Sequence, residues 1–108
     1  MLAAALTLSN DSRTTAGILL IAIVAVEYGG LTLLRITRGR QPATEFQKAS
    51  ARAAHAHAGI FVIFAIVAQI LADAAELEGA VDTIARAGIW IAAIFFPAGF
   101  FASSAVVA

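Results

Sequence analysis

The chain contains no cysteine, which excludes disulfides, thiolate metal centres and a cysteine nucleophile. Charge is scarce: Asp, Glu, Lys and Arg make up 13% of the residues, against about one-quarter in a soluble domain. The seven basic and seven acidic residues cancel, so no basic footprint points to nucleic acid. Proline occurs only twice, so little interrupts a long helix. The alternation expected of a β-barrel is missing. The start, 1–8, is apolar but short and has no basic n-region, so a cleaved signal peptide is not expected.

What is present is apolar surface. Hydrophobic residues form 61% of the chain, and the mean hydropathy is +0.91. A chain of 108 residues has room for one transmembrane domain, 1–108, and none for a soluble catalytic domain of useful size. Three apolar spans stand out, at about 16–34, 53–75 and 84–107. Each is near the ~20 residues that cross a ~30 Å hydrocarbon core at ~1.5 Å per residue. The fold class expected is all-α, an integral membrane helical bundle with three transmembrane helices.

The link at 35–52 carries Arg35, Arg38, Arg40, Lys48 and Arg52 against a single acid, Glu45. The opposite link carries Glu76, Glu78 and Asp82. By the positive-inside rule the basic link is cytoplasmic, which places the N-terminus outside a plasma (inner) membrane that the chain crosses more than once. Gly39-Arg40-Gln41-Pro42 breaks the first helix from the second. Thr44-x-x-Gln47 fits a capping box, so the second helix starts near Glu45 and continues to about Leu77. Gly79 then reads as a stop, and Asp82 or Thr83 as the cap of the third helix, with Arg86 four residues after Asp82 as its pair.

Glu27 is the sharpest single feature. It sits inside the first span, where a carboxylate costs about 2.5–3.5 kcal/mol on insertion scales. Such a residue must face protein or water, be neutralised, or have a partner. On the second helix His55 and Asp73 project in the same direction, and Lys48, Arg52, Gly59, Val62, Ile66 and Gln69 share their sector. His57 points to nearly the opposite side. The depth of Glu27 falls near Gly59, one or two turns from His55 and His57, so a carboxylate–histidine bond is expected there. One reading makes Glu27 with His55 or His57 a metal site or a proton-transfer pair. Few other ligands lie at that depth, and one helix does not aim two histidines two residues apart at a single ion. A structural hydrogen bond that fixes helix register is favoured, and no cofactor is expected.

The remaining candidates are blander. Tyr28 beside Glu27 is packing with a polar handle. Arg86 and Trp90 read as interfacial anchors, with Arg86 also within reach of Asp73 or Glu76. The phenylalanines within the spans are ordinary packing. Gly59, Gly88 and Gly99 mark close helix approach, the last two within Gly88-x-x-x-Ala92 and Gly99-x-x-x-Ser103. Pro97 frees the carbonyl of Ala93 and lies roughly level with Glu27, where a small polar cavity is expected.

The strings Glu27-Tyr28-Gly29-Gly30, Thr37-x-Gly39-Arg40-Gln41-Pro42-Ala43-Thr44, His55-Ala56-His57-Ala58-Gly59 and Pro97-Ala98-Gly99-Phe100-Phe101 cover most of the chain from the first span onward. They resemble those of small polytopic membrane proteins of high-GC bacteria. That resemblance implies a compartment and a fold, and no activity. It also implies a further hydrophobic segment after the third, so the chain reads as a shorter relative or one with a shortened C-terminus.

Three functions remain in view. The first is a small accessory or assembly subunit of a larger inner-membrane complex, for transport or respiration. It would be embedded in the lipid bilayer beside other membrane subunits or copies of itself. The second is a membrane-embedded enzyme or metal- or redox-binding protein using Glu27 and His55. The third is a homo-oligomeric proton or ion path. No catalytic motif favours the second, and three helices enclose too little for an autonomous path.

Overall fold

The computed structural model describes residues 7–107. It contains three helices, α1 (Asn10–Thr37), α2 (Glu45–Ala74) and α3 (Gly79–Val107), and no strand among the described residues. The protein is all-α, and each helix is long and apolar enough to cross a membrane. Helices of 28 to 30 residues overrun the hydrocarbon core. At ~1.5 Å per residue they reach more than 40 Å against ~30 Å, so they tilt or project.

The termini of the helices follow local chemistry. At the start of α1 the Ser9 hydroxyl accepts from the Ser12 N–H at 3.1 Å, and Asp11 lies in the positive first turn. This polar turn, outside the apolar stretch, extends the helix six residues beyond the expected span start at 16. At the other end Gly39 has φ 71, and the Gly39 and Arg40 N–H groups donate to the Ile36 and Arg35 carbonyls at 3.1 and 2.9 Å. That is a Schellman motif closed by a glycine. The expected capping box opens α2: the Gln47 N–H donates to Thr44 Oγ1 at 3.1 Å, and the Thr44 N–H to Gln47 Oε1 at 3.0 Å.

The turn between α2 and α3 departs from expectation. The helix α2 ends at Ala74, three residues before Leu77. A second Schellman motif closes it, with the Glu76 N–H donating to the Asp73 carbonyl at 3.2 Å and the Leu77 N–H to the Ala72 carbonyl at 3.4 Å. The left-handed position falls on Glu76, at φ 52. Gly79, also left-handed at φ 64, is the first residue of α3 rather than a stop for α2. The third helix therefore starts before Asp82 and Thr83, and neither caps it. Instead Asp82 lies in the first turn and pairs with Arg86.

In the bundle α2 is central, with α1 and α3 packed along it and little contact between those two. Leu19, Val62 and Ala65 form the buried centre, flanked by Ile23, Ile66, Ile89 and Ala93. Ala54, Ala65 and Ala72 are buried on α2, where the absence of a long side chain lets the neighbouring helices approach. Among the described residues α3 contributes no buried side chain, although its length is apolar. Three helices cover each other only in part.

Candidate functional site

Polar side chains gather at the end of the bundle where α2 meets α3 and the start of α1. The Asp73 side chain, 8% exposed, accepts from Arg86 Nη2 at 2.8 Å, from the Ser9 N–H at 2.8 Å and from the Ser9 hydroxyl at 3.1 Å. The same guanidinium donates Nη1 to the Ser12 hydroxyl at 2.7 Å and Nε to Asp82. Gln69 Nε2 donates to the Arg86 carbonyl at 2.9 Å. A guanidinium suits this position because its five donors form a rigid fork that serves several acceptors at once. All three helices are thereby tied at one point. Its charged groups are paired with each other across the three helices, which makes the cluster a structural clamp.

Several expectations are sharpened there. Arg86 is the hub of the clamp, through the expected reach to Asp73. It takes Asp73 and Asp82 as partners and leaves Glu76 exposed. Gln69 and Asp73, two members of the expected polar stripe, are both engaged in the clamp. Ser9 and Ser12 were missed. Ser12 is wholly buried, and its bond to Arg86 joins residues 74 positions apart. The one available signal was the run Ser9-Asn10-Asp11-Ser12, a helix N-terminal pattern.

The two histidines face different helices. The His55 ring lies against the glycines of α1: a Cβ on Gly30 would fall 3.1 Å from its Cε1, and one on Gly29 3.7 Å from Nδ1. Its Nδ1 is buried without a hydrogen-bond partner. His57 points towards α3. Its Nδ1 lies 2.7 Å from the Ala53 carbonyl, so Nδ1 carries the proton of that bond. Its ring packs among Phe61, Phe96 and Phe100 at centroid distances of 5.6, 6.0 and 5.0 Å. Those phenylalanines, read as ordinary packing, enclose a histidine.

Glu27 joins neither histidine. It is exposed on α1 and lies outside every ion pair among the described residues. Val26 meets Gly59 of α2, and Gly29 and Gly30 meet His55. At 100° per residue, Glu27 is turned roughly a right angle away from that contact line. Tyr28 is 65% exposed as well. The expected carboxylate–histidine bond is not formed, and the pairing proposed for a metal or a proton relay is not assembled.

A groove runs between α1 and α3 with α2 as its floor. It has two chambers, of about 460 and 360 Å³, which share Val26 and Ala58. Trp90 lines the first, where the sequence suggested an interfacial anchor. Pro97 lines the second with Tyr28, Thr32 and His55. The cavity expected beside Pro97 is thus present but mostly apolar, and Glu27 is not part of it. The glycines expected at helix contacts divide. A Cβ on Gly59 would meet Val26 at 3.8 Å, whereas nothing lies within 4 Å of one on Gly88 or Gly99. Those two open the outer face of α3 instead of packing within the chain.

Neither protein-family models nor curated proteins nor solved structures give a match to this chain, so its residues and their geometry alone carry the function.

Proposed function

We propose that the chain is a small multi-pass subunit that works by packing laterally against other membrane helices, in an accessory or assembly role within a larger membrane complex. One observation carries this reading: Glu27 stands on an exposed face of α1, inside its apolar span, with no ionic or hydrogen-bond partner among the described residues. Left facing lipid, a carboxylate costs about 2.5–3.5 kcal/mol or more. A donor from another helix removes that penalty. The open groove and the uncovered face of α3 at Gly88 and Gly99 support the same reading, because small residues let a further backbone approach.

The orientation proposed follows the charge, with the 35–52 link in the cytoplasm of a bacterial cell and the N-terminus outside the inner membrane. A cysteine at Gly39 is then shielded from an impermeant thiol reagent in intact cells, and one at Glu78 reacts. The reverse labelling overturns the orientation.

The subunit reading is tested by mild-detergent extraction from the native membrane, followed by mass measurement. The expected product is a complex heavier than the 11.1 kDa protomer. A monodisperse, fully stable protomer free of other polypeptides overturns the proposal. A second reading, a homo-oligomeric proton path, draws on the same exposed Glu27, since a ring of copies would gather that carboxylate at a shared interface. Proton flux in liposomes containing this chain alone would favour it. The enzyme and metal reading loses its geometric support, because Glu27 and His55 do not share a face.

A further inference from the structure

The C-terminal turn of α1 gathers three arginines around a small pocket. Arg35, Arg38 and Arg40 line it together with Leu31 and Leu34, and its volume is about 150 Å³. The glycine-closed turn explains the convergence. Gly39 at φ 71 reverses the chain so that the Arg40 N–H bonds back to the Arg35 carbonyl at 2.9 Å. Arg40, beyond the helix, is thereby folded beside Arg35 within it.

None of the three guanidiniums belongs to an ion pair among the described residues. The one acid of the 35–52 link, Glu45, is taken by Lys48 at 2.8 Å. The end of α1 supplies a partial negative charge of only about one-half, which leaves the pocket strongly positive. Its other wall is apolar: Leu31 and Leu34 are 56% and 42% exposed. Leu31 lies one turn further into the apolar helix than Arg35. Cationic forks above an exposed apolar strip match one class of ligand, a phosphate bearing acyl chains.

We infer that this pocket binds the headgroup of an anionic phospholipid, with an acyl chain laid along Leu34 and Leu31. Guanidiniums engage phosphate oxygens through paired N–H donors, which a diffuse positive surface does not do. The inference requires only that α1 crosses a membrane, and it holds whether or not the chain is a subunit of a complex.

The test uses the full chain purified in mild detergent and titrated with phosphatidylglycerol, phosphatidylcholine of the same chains, or inorganic phosphate, with native mass spectrometry as readout. One phosphatidylglycerol is expected to remain bound per protomer. Equal retention of phosphatidylcholine, or binding of inorganic phosphate without retention of lipid, overturns the inference. Arg38→Gln weakens phosphatidylglycerol binding about fivefold or more, the scale of one basic residue at an anionic membrane surface. Arg52→Gln removes the same charge from α2 outside the pocket and leaves binding unchanged. Equal losses from the two variants reduce the effect to general surface charge and overturn the site. Thermal unfolding without lipid checks the fold, and if Arg38→Gln fails that check, Arg40→Gln, outside the helix, replaces it.

Discussion

Two carboxylates interrupt the apolar helices, Asp73 near the end of α2 and Glu27 within α1, and their surroundings differ in every respect. Asp73 receives Arg86 and two donors from Ser9, and the side chain is almost wholly enclosed. Glu27 is exposed and has no ionic partner among the described residues. Both would carry a large penalty alone in a low-dielectric surrounding. The chain cancels that penalty at one site and leaves it outstanding at the other. Polar groups at the clamp therefore hold the protomer together, while the carboxylate on α1 has no counterpart among the described residues.

Removing a partner from the clamp gives the largest effect that separates the two sites. Asp73→Ala leaves the Arg86 guanidinium with only Asp82 and Ser12, and frees both Ser9 donors. Because Arg86 is partly exposed and keeps Asp82, the loss is that of charge-assisted hydrogen bonds, about 1–3 kcal/mol. Denaturant unfolding of the purified protein in detergent measures it. A loss below about 1 kcal/mol, the level of an exposed ion pair, would mean that water already dissolves the clamp.

The Glu27 variant should behave in the opposite manner. With no donor to orphan among the described residues, Glu27→Leu leaves the isolated protomer within about 0.5 kcal/mol of the parent, as for a surface substitution. In the native membrane the same change should release the chain from its complex, seen as a shift to the protomer mass on extraction. A protomer destabilised by about 1–3 kcal/mol would reveal a donor within the chain and erase the contrast with Asp73.

How much of this was legible depends on whether the cause is local. The three spans, the basic link and the Thr44–Gln47 box follow from composition and short spacings, and so does the Asp82–Arg86 pair. The clamp was half legible, because helical register brings Gln69 and Asp73 to one side, but Ser12 reaches Arg86 only through the fold. The direction of Glu27 was not legible. A helix apolar nearly all round has no strong face to fix its rotation, and tertiary contacts at Val26, Gly29 and Gly30 decide it. The start of α1 was hidden for another reason: hydropathy registers the apolar stretch and ignores the polar turn that caps it.

The glycines beside Glu27 test whether the middle of the bundle is as loosely held as its exposed carboxylate suggests. Gly30→Ala places a methyl 3.1 Å from His55 Cε1, so the ring must shift. Gly29→Ala meets the same ring at 3.7 Å, an ordinary contact. The second change should gain up to about 1 kcal/mol from helix propensity, and the first should lose about as much through overpacking. Equal gains from both, read from thermal unfolding in detergent, would show that His55 moves freely and that only the clamp end is tightly packed.

The turn at the clamp end gives a gain in place of a loss. Glu76 occupies the left-handed position that closes α2, at φ 52, and lies three residues after Asp73. A side chain in that conformation costs roughly 1–2 kcal/mol, and glycine adopts it freely. Part of the gain is offset by the extra freedom that glycine gives the unfolded chain. Glu76→Gly should therefore stabilise the protein by about 0.5–1 kcal/mol, against a loss of similar size for Gly39→Ala at the matching turn of α1. The gain at Glu76 requires that the clamp hold the turn in place. In an Asp73→Ala background, where the turn is free to relax, it should shrink towards zero. A gain of the same size in both backgrounds would show that the Schellman turn stands independently of the clamp, and that Asp73 ties the helices together without shaping the link between them.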